Sequence, residues 1–141
     1  MTPRDALQQT LAGEHAAVYV YGVLGGRVSA SDQAALATRL SSAYTVHRGR
    51  RDQLVAMVLA AGGEPAAAEV SYQLPNPSRT APQLTAAALV VERRCAEVYA
   101  AMVGSTARAN RQWAIDALAD AAVRQLTFGG TPEPFPGVAE L

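Results

Sequence analysis

The chain has no lysine. All 12 of its basic residues are arginines, and 12 acidic residues bring the formal net charge to zero. A protein without a net positive field has no electrostatic footprint for a phosphate backbone. The one basic cluster, Arg48, Arg50 and Arg51, is short and carries no interleaved aromatics, so nucleic acid is not an expected partner. Cysteine is nearly absent as well. Cys95 stands alone, which excludes an intramolecular disulfide and a cysteine-based zinc site, and it reads as a small helix filler. Two histidines are too few for a histidine-rich hydrolytic metal site. No apolar run approaches the roughly 18 residues needed to span a bilayer, and no secretory h-region opens the chain. The expected location is cytoplasmic, with no membrane association. No Ser-His-Asp arrangement, phosphate-binding glycine loop or dinucleotide fingerprint is found.

What is abundant is alanine, the strongest helix former, in a chain that is half hydrophobic. The lysine-free, alanine- and arginine-rich usage reads as the mark of a high-GC bacterial genome. At 141 residues the chain is long enough to bury a core as one domain. Four helices are expected, at about 3–24, 30–61, 81–103 and 106–128. Thr2, Pro3 and Asp5 suit the start of the first, and Gly25-Gly26 its end. Ser29 and Asp32 are spaced to cap the second, Gly62-Gly63 to stop it, and Thr80 with Gln83 forms a capping-box pattern for the third. Residues 62–80 hold Pro65, Pro75 and Pro77, which excludes a central strand and predicts an extended crossover. The proline-rich tail, 129–141, cannot continue the last helix, and Phe135 is its expected anchor. Two short hairpin turns around one long connection give an all-α four-helix bundle: two antiparallel helical hairpins joined by a crossover.

A repeat runs through this pattern. Leu11, Glu14, Val18 and Tyr21 share one helical face, and Leu89, Glu92, Ala96 and Tyr99 repeat it in the second half. Each stripe thus carries a carboxylate where apolar side chains face a core, and a bare carboxylate there is very costly. Turns centred near residues 29 and 105 set Tyr44 and Ala117 at the glutamates' level, with His47 and Asp120 one turn further on. Arg51 and Arg124 follow one turn beyond those. The expected polar core is Glu14, Tyr44, His47, Arg51, Glu92, Asp120 and Arg124. His15 points off the Glu14 face and reads as a surface residue. Tyr19, Tyr21 and Tyr99 read as core, Trp113 as a core anchor, and Asp52 and Glu97 as solvated.

Several stretches together carry a resemblance: Glu14-His-Ala-Ala-Val-Tyr19, His47-Arg-Gly-Arg-Arg-Asp-Gln-Leu54, Tyr72-x-Leu-Pro75, Glu92 with Tyr99, and Pro134-Phe-Pro-Gly137. On these the chain resembles the ferritin-like superfamily, and within it an alanine-rich bacterial family of uncharacterised function. The resemblance implies a di-iron pattern with one Glu on the first and third helices and Glu-x-x-His on the second and fourth. Glu14, Glu92 and His47 match it. Tyr44 and Ala117 stand where the two remaining glutamates belong, and Asp120 where the second histidine belongs. The expectation is a degenerate di-iron site in a structural or protein-interaction module, homodimeric through an alanine-rich helix face. The alternative is an oxidoreductase or metal-handling protein with one iron, manganese or zinc ion held by Glu14, His47, Glu92 and Asp120.

Overall fold

The structure is a computed structural model and describes residues 1–138; residues 139–141, the end of the expected tail, lie outside the described residues. Among those described there are four helices and no strand: α1 (Pro3–Arg27), α2 (Ala34–Ala60), α3 (Ala81–Ser105) and α4 (Arg108–Thr127).

Their ends follow from local chemistry. Thr2 accepts from Asp5 N at 3.1 Å, and its own N–H donates to the Asp5 carboxylate at 3.0 Å. That reciprocal pair satisfies donors which the first helical turn leaves free. Thr80 and Gln83 do the same for α3. At the end of α2, Gly62 adopts φ +71°, and the N–H groups of Gly62 and Gly63 return to Leu59 O and Val58 O at 2.9 and 3.0 Å. This left-handed cap is the reason glycine stands there.

Two expected boundaries move. Gly25-Gly26 does not stop α1, which runs on to Arg27 because Val28 N still reaches Leu24 O and Arg27 is gripped by the carbonyls of Pro77 and Ser78. Ser29 and Asp32 bond each other in the turn instead of capping α2, which starts at Ala34 behind Gln33 without a side-chain cap. The tail also differs. Phe135 is 59 % exposed and anchors nothing, whereas Phe128 is buried. The tail's close approach is made by Gly137, where a Cβ would overlap the Ala96 carbonyl.

α1 packs against both α2 and α3, and α3 against α4. The crossover retraces α1 from its N-terminus to its C-terminus. Arg4 donates to Ala61 O, Gln8 bonds the backbone of Glu64 and Ala66, and Tyr19 meets the Tyr72 ring. Arg27 then holds the far end. Glu14, His47 and Glu92, all fully buried, lie between two apolar clusters. One is built around Leu24, Leu36, Leu40 and Phe128, the other around Leu7, Leu11, Leu54 and Met102.

Candidate functional site

The buried centre starts from the antiparallel pairing of α1 and α3. In each helix the tyrosine follows the glutamate by seven residues, two turns on along the same face. Reversing one helix against the other sets each tyrosine beside the opposite glutamate. Tyr21 donates to Glu92 Oε1 at 2.6 Å, and Tyr99 donates to Glu14 Oε1. The sequence repeat is thus expressed as a reciprocal exchange of hydrogen bonds.

His47 of α2 enters between the two carboxylates. Its Nδ1 is 2.7 Å from Glu14 Oε2 and its Nε2 is 3.0 Å from Glu92 Oε1. Carboxylates only accept, so both ring nitrogens act as donors and the ring is an imidazolium. Burial alone would lower its pKa, but the hydrogen bonds and charges of Glu14 and Glu92 outweigh that and raise it to about 9. Tyr21 stacks on the ring at 5.3 Å between centroids.

A second tier adds the arginines. Arg50 donates to Tyr99 Oη at 3.2 Å and to the Asp120 carboxylate, which also pairs with the Arg124 guanidinium at 2.8 Å. Burial would raise the Asp120 pKa, yet the Arg124 and Arg50 charges hold it below the usual value. Glu92 Oε2 and Arg124 Nη1 face each other at 3.6 Å, both buried and without a hydrogen-bond partner. Three carboxylates thus meet one imidazolium and two guanidiniums, and the formal charges cancel. Burial, and next the neighbouring charges, push the hydroxyls of Tyr21 and Tyr99 and the Cys95 thiol well above their usual pKa values, so all three stay protonated.

The chain as a whole matches a known family. The model of "Domain of unknown function (DUF4439)" matches residues 6–140. The chain belongs to the DUF4439 family. Among solved structures, it is similar to a conserved hypothetical protein, rv2844, from Mycobacterium tuberculosis, with 29 % identity, TM-score 0.82, and 89 % of this chain and 93 % of that one covered. It is also similar to a structure described as ferritin like, diiron-carboxylate proteins from Bacillus anthracis str. Ames, with 18 % identity, TM-score 0.75, and coverage of 89 % and 91 %. The fold is therefore that of the ferritin-like superfamily. No curated protein matches the chain.

In this DUF4439 chain Glu14, His47 and Glu92 come together as one cluster, and Asp120 and Arg124 adjoin it. Tyr44 and Arg51 do not. Tyr44 lies a turn away, half-buried over Gly22 and under the Arg48 guanidinium. The turn between α1 and α2 is centred between residues 30 and 31, and that shift brings His47, not Tyr44, level with Glu14. Arg51 turns outward and pairs with Asp52 at 2.8 Å. Arg50 takes the inward place instead. From Leu36 to Leu54 the buried residues of α2, Leu36, Leu40, Ala43, His47, Arg50 and Leu54, alternate steps of four and three, so continuing that rhythm past His47 points to Arg50. Tyr21 and Tyr99 lie on the expected stripe, and their hydroxyls are the part that a core reading misses. His15 is half-buried and reaches the crossover at Ala66 O, 2.8 Å away, while Trp113 donates to Gln53 across α2 and α4. Among the described residues no group of three or more His, Cys, Asp and Glu is arranged to hold a metal ion. The two glutamates occupy opposite edges of the His47 ring and do not converge on a common point. Among them, too, no helix is long and apolar enough to cross a membrane.

Proposed function

We propose that this chain is a ferritin-like structural and interaction module whose ancestral di-iron centre has been replaced by a metal-free, charge-balanced network, in an alanine-rich bacterial branch of the superfamily. The observation that carries this reading is His47 with both ring nitrogens bonded to carboxylates. An imidazolium has no lone pair for a metal. The rest of the donor set agrees. Tyr44 and Ala117 supply no carboxylate where a metal pair would need one, and Asp120 is engaged by two guanidiniums. Two arginines beside the glutamates supply the positive charge that metal ions would otherwise bring. The network's work is to fix the register of four alanine-rich helices whose apolar surfaces alone specify it weakly.

The partner in this reading is a second copy, in the cytoplasm. Ile115, Ala119, Ala122, Val123 and Leu126 share one outer side of α4; Ile115, Val123 and Leu126 are 42, 61 and 44 % exposed. From Ile115 to Leu126 no charge falls within that side, though Asp116 and Arg111 border it and Arg108 precedes it, so it can meet its own copy about a two-fold axis with its charges at the rim.

The test is metal content by elemental analysis, on protein purified without chelator and again after reconstitution with Fe(II), Mn(II) and Zn(II). Well under one equivalent is expected in every case. Near-stoichiometric metal that disappears in Glu14→Ala and His47→Ala would overturn the reading in favour of a single-metal oxidoreductase or metal-handling protein using Glu14, His47, Glu92 and Asp120.

A further inference from the structure

Flanking the network, α1, α3 and the crossover enclose a partly open cleft of about 300 Å³. Its existence follows from small residues. Gly13, Ala16 and Ala17 leave α1 bare where larger side chains would fill the space beneath the crossover. Val20 of α1 and Val91 and Val98 of α3 complete apolar walls, and Tyr72 forms the roof. The roof is held in place, because the Tyr72 hydroxyl accepts from Glu69 N at 2.9 Å and its ring meets Tyr19. Cys95 lies at the inner wall, 3 % exposed.

Two polar side chains also line the cleft. Arg94 and Gln73 are both exposed. Arg94 makes no ion pair or side-chain hydrogen bond among the described residues, although Glu97 follows it by one turn. Among the described residues nothing occupies its guanidinium, which stands at the mouth of an apolar slot where an anion could be received. Small-molecule sites combine these features: a concave, mostly apolar wall with a few polar groups that fix orientation. The volume is at the lower end of the roughly 300–1,000 Å³ range for such sites, which suits a slim alkyl chain and not a large ring system.

We propose that this cleft binds a medium-chain aliphatic carboxylate, its tail between α1 and α3 under Tyr72 and its head on Arg94. The acid head is favoured over an alcohol or amine because guanidinium pairs with carboxylate through parallel, charge-assisted hydrogen bonds. The inference is independent of whether the buried centre holds metal, since Cys95 is the one group shared with that centre and none of its carboxylates, arginines or His47 lines the cleft.

The experiment is calorimetric titration of the full chain with sodium decanoate and, in parallel, 1-decanol. Decanoate binds one to one; decanol binds more weakly by roughly tenfold or more, the value of a charged hydrogen bond. Arg94→Gln, a surface change, weakens decanoate by a similar factor and leaves decanol unaffected. Ala16→Phe fills the slot and abolishes both, with the thermal melt confirming a folded protein. Absence of decanoate binding at millimolar concentration overturns the proposal. So does equal affinity for decanol, or undiminished decanoate binding by Arg94→Gln or by a folded Ala16→Phe.

Discussion

His47 sets the pH response of the fold. Its pKa in the folded chain, about 9, lies above the ordinary 6.5, so its contribution is complete below pH 6.5 and is lost as pH rises through 9. Asp120 has the opposite sign. Its lowered pKa gives a contribution present above pH 3.8 and lost as pH falls through its folded-state value. Thermal stability should therefore hold level from about pH 5 to 6.5 and decline toward pH 10, with His47→Gln removing the alkaline decline. Nitrogen NMR of the ring at pH 7 should find both positions protonated; a neutral, singly protonated ring would contradict the imidazolium. Removing one partner of a buried ion pair is strongly destabilising, by about 3–5 kcal/mol. Glu14→Ala, which strands both His47 and Tyr99, should fall in that range by urea denaturation. The sequence disclosed that Glu14 and Glu92 needed partners, because their faces were otherwise apolar. On α2 it points to Arg51, a step of four from His47, whereas the buried stripe takes a step of three to Arg50; Arg124 on α4 does adjoin the centre.

Helices α1 and α3 are keyed to each other by the Tyr21–Glu92 and Tyr99–Glu14 bonds. Because the two are related by the repeat, Tyr21→Phe and Tyr99→Phe should cost comparable amounts, about 1.5–3 kcal/mol each for a hydrogen bond to a charged acceptor. A clear imbalance in denaturant midpoints, with Tyr99→Phe the more costly, would mean that Arg50, which bonds Tyr99 as well as Asp120, contributes separately. At the end of α2, Gly62→Ala should lower stability by about 1–2 kcal/mol, the cost of a left-handed residue with a Cβ. Gly49→Ala, inside the same helix with open space around it, should be neutral or stabilising. These elements were legible in the sequence to different degrees. The cap at Thr2, the capping box at Thr80 and the stop at Gly62 rest on local chemistry, and they stand where the sequence put them. The first turn was misplaced because Gly25-Gly26 gives no tertiary information, and it is the crossover, through Pro77 and Ser78, that keeps the last turn of α1 helical. That single error in the turn's centre moved the inferred level from His47 to Tyr44.

The whole bundle is closed unevenly. α1 and α3 run in close contact, while α2 and α4 are linked mainly through long side chains, Arg50 to Asp120 and Gln53 to Trp113. Charge balance at the centre therefore does for α2 and α4 what close packing does for α1 and α3. It follows that loss of Arg50 should loosen α4 selectively, visible as faster amide exchange in 108–127 than in 3–27. The freed outer side of α4 bears on assembly. Its apolar residues at positions 115, 119, 122, 123 and 126 are not used by the core, and burying them against a second copy removes apolar surface from water without stranding a charge. Light scattering should give twice the 14.7 kDa chain mass at micromolar concentration. Val123→Glu puts a charge on that exposed apolar side in each copy, so it should yield a folded monomer. A wild-type monomer at 100 μM, a concentration at which any contact of physiological strength would hold (about 5.5 kcal/mol by mass action), would leave α4's apolar side without the partner proposed for it.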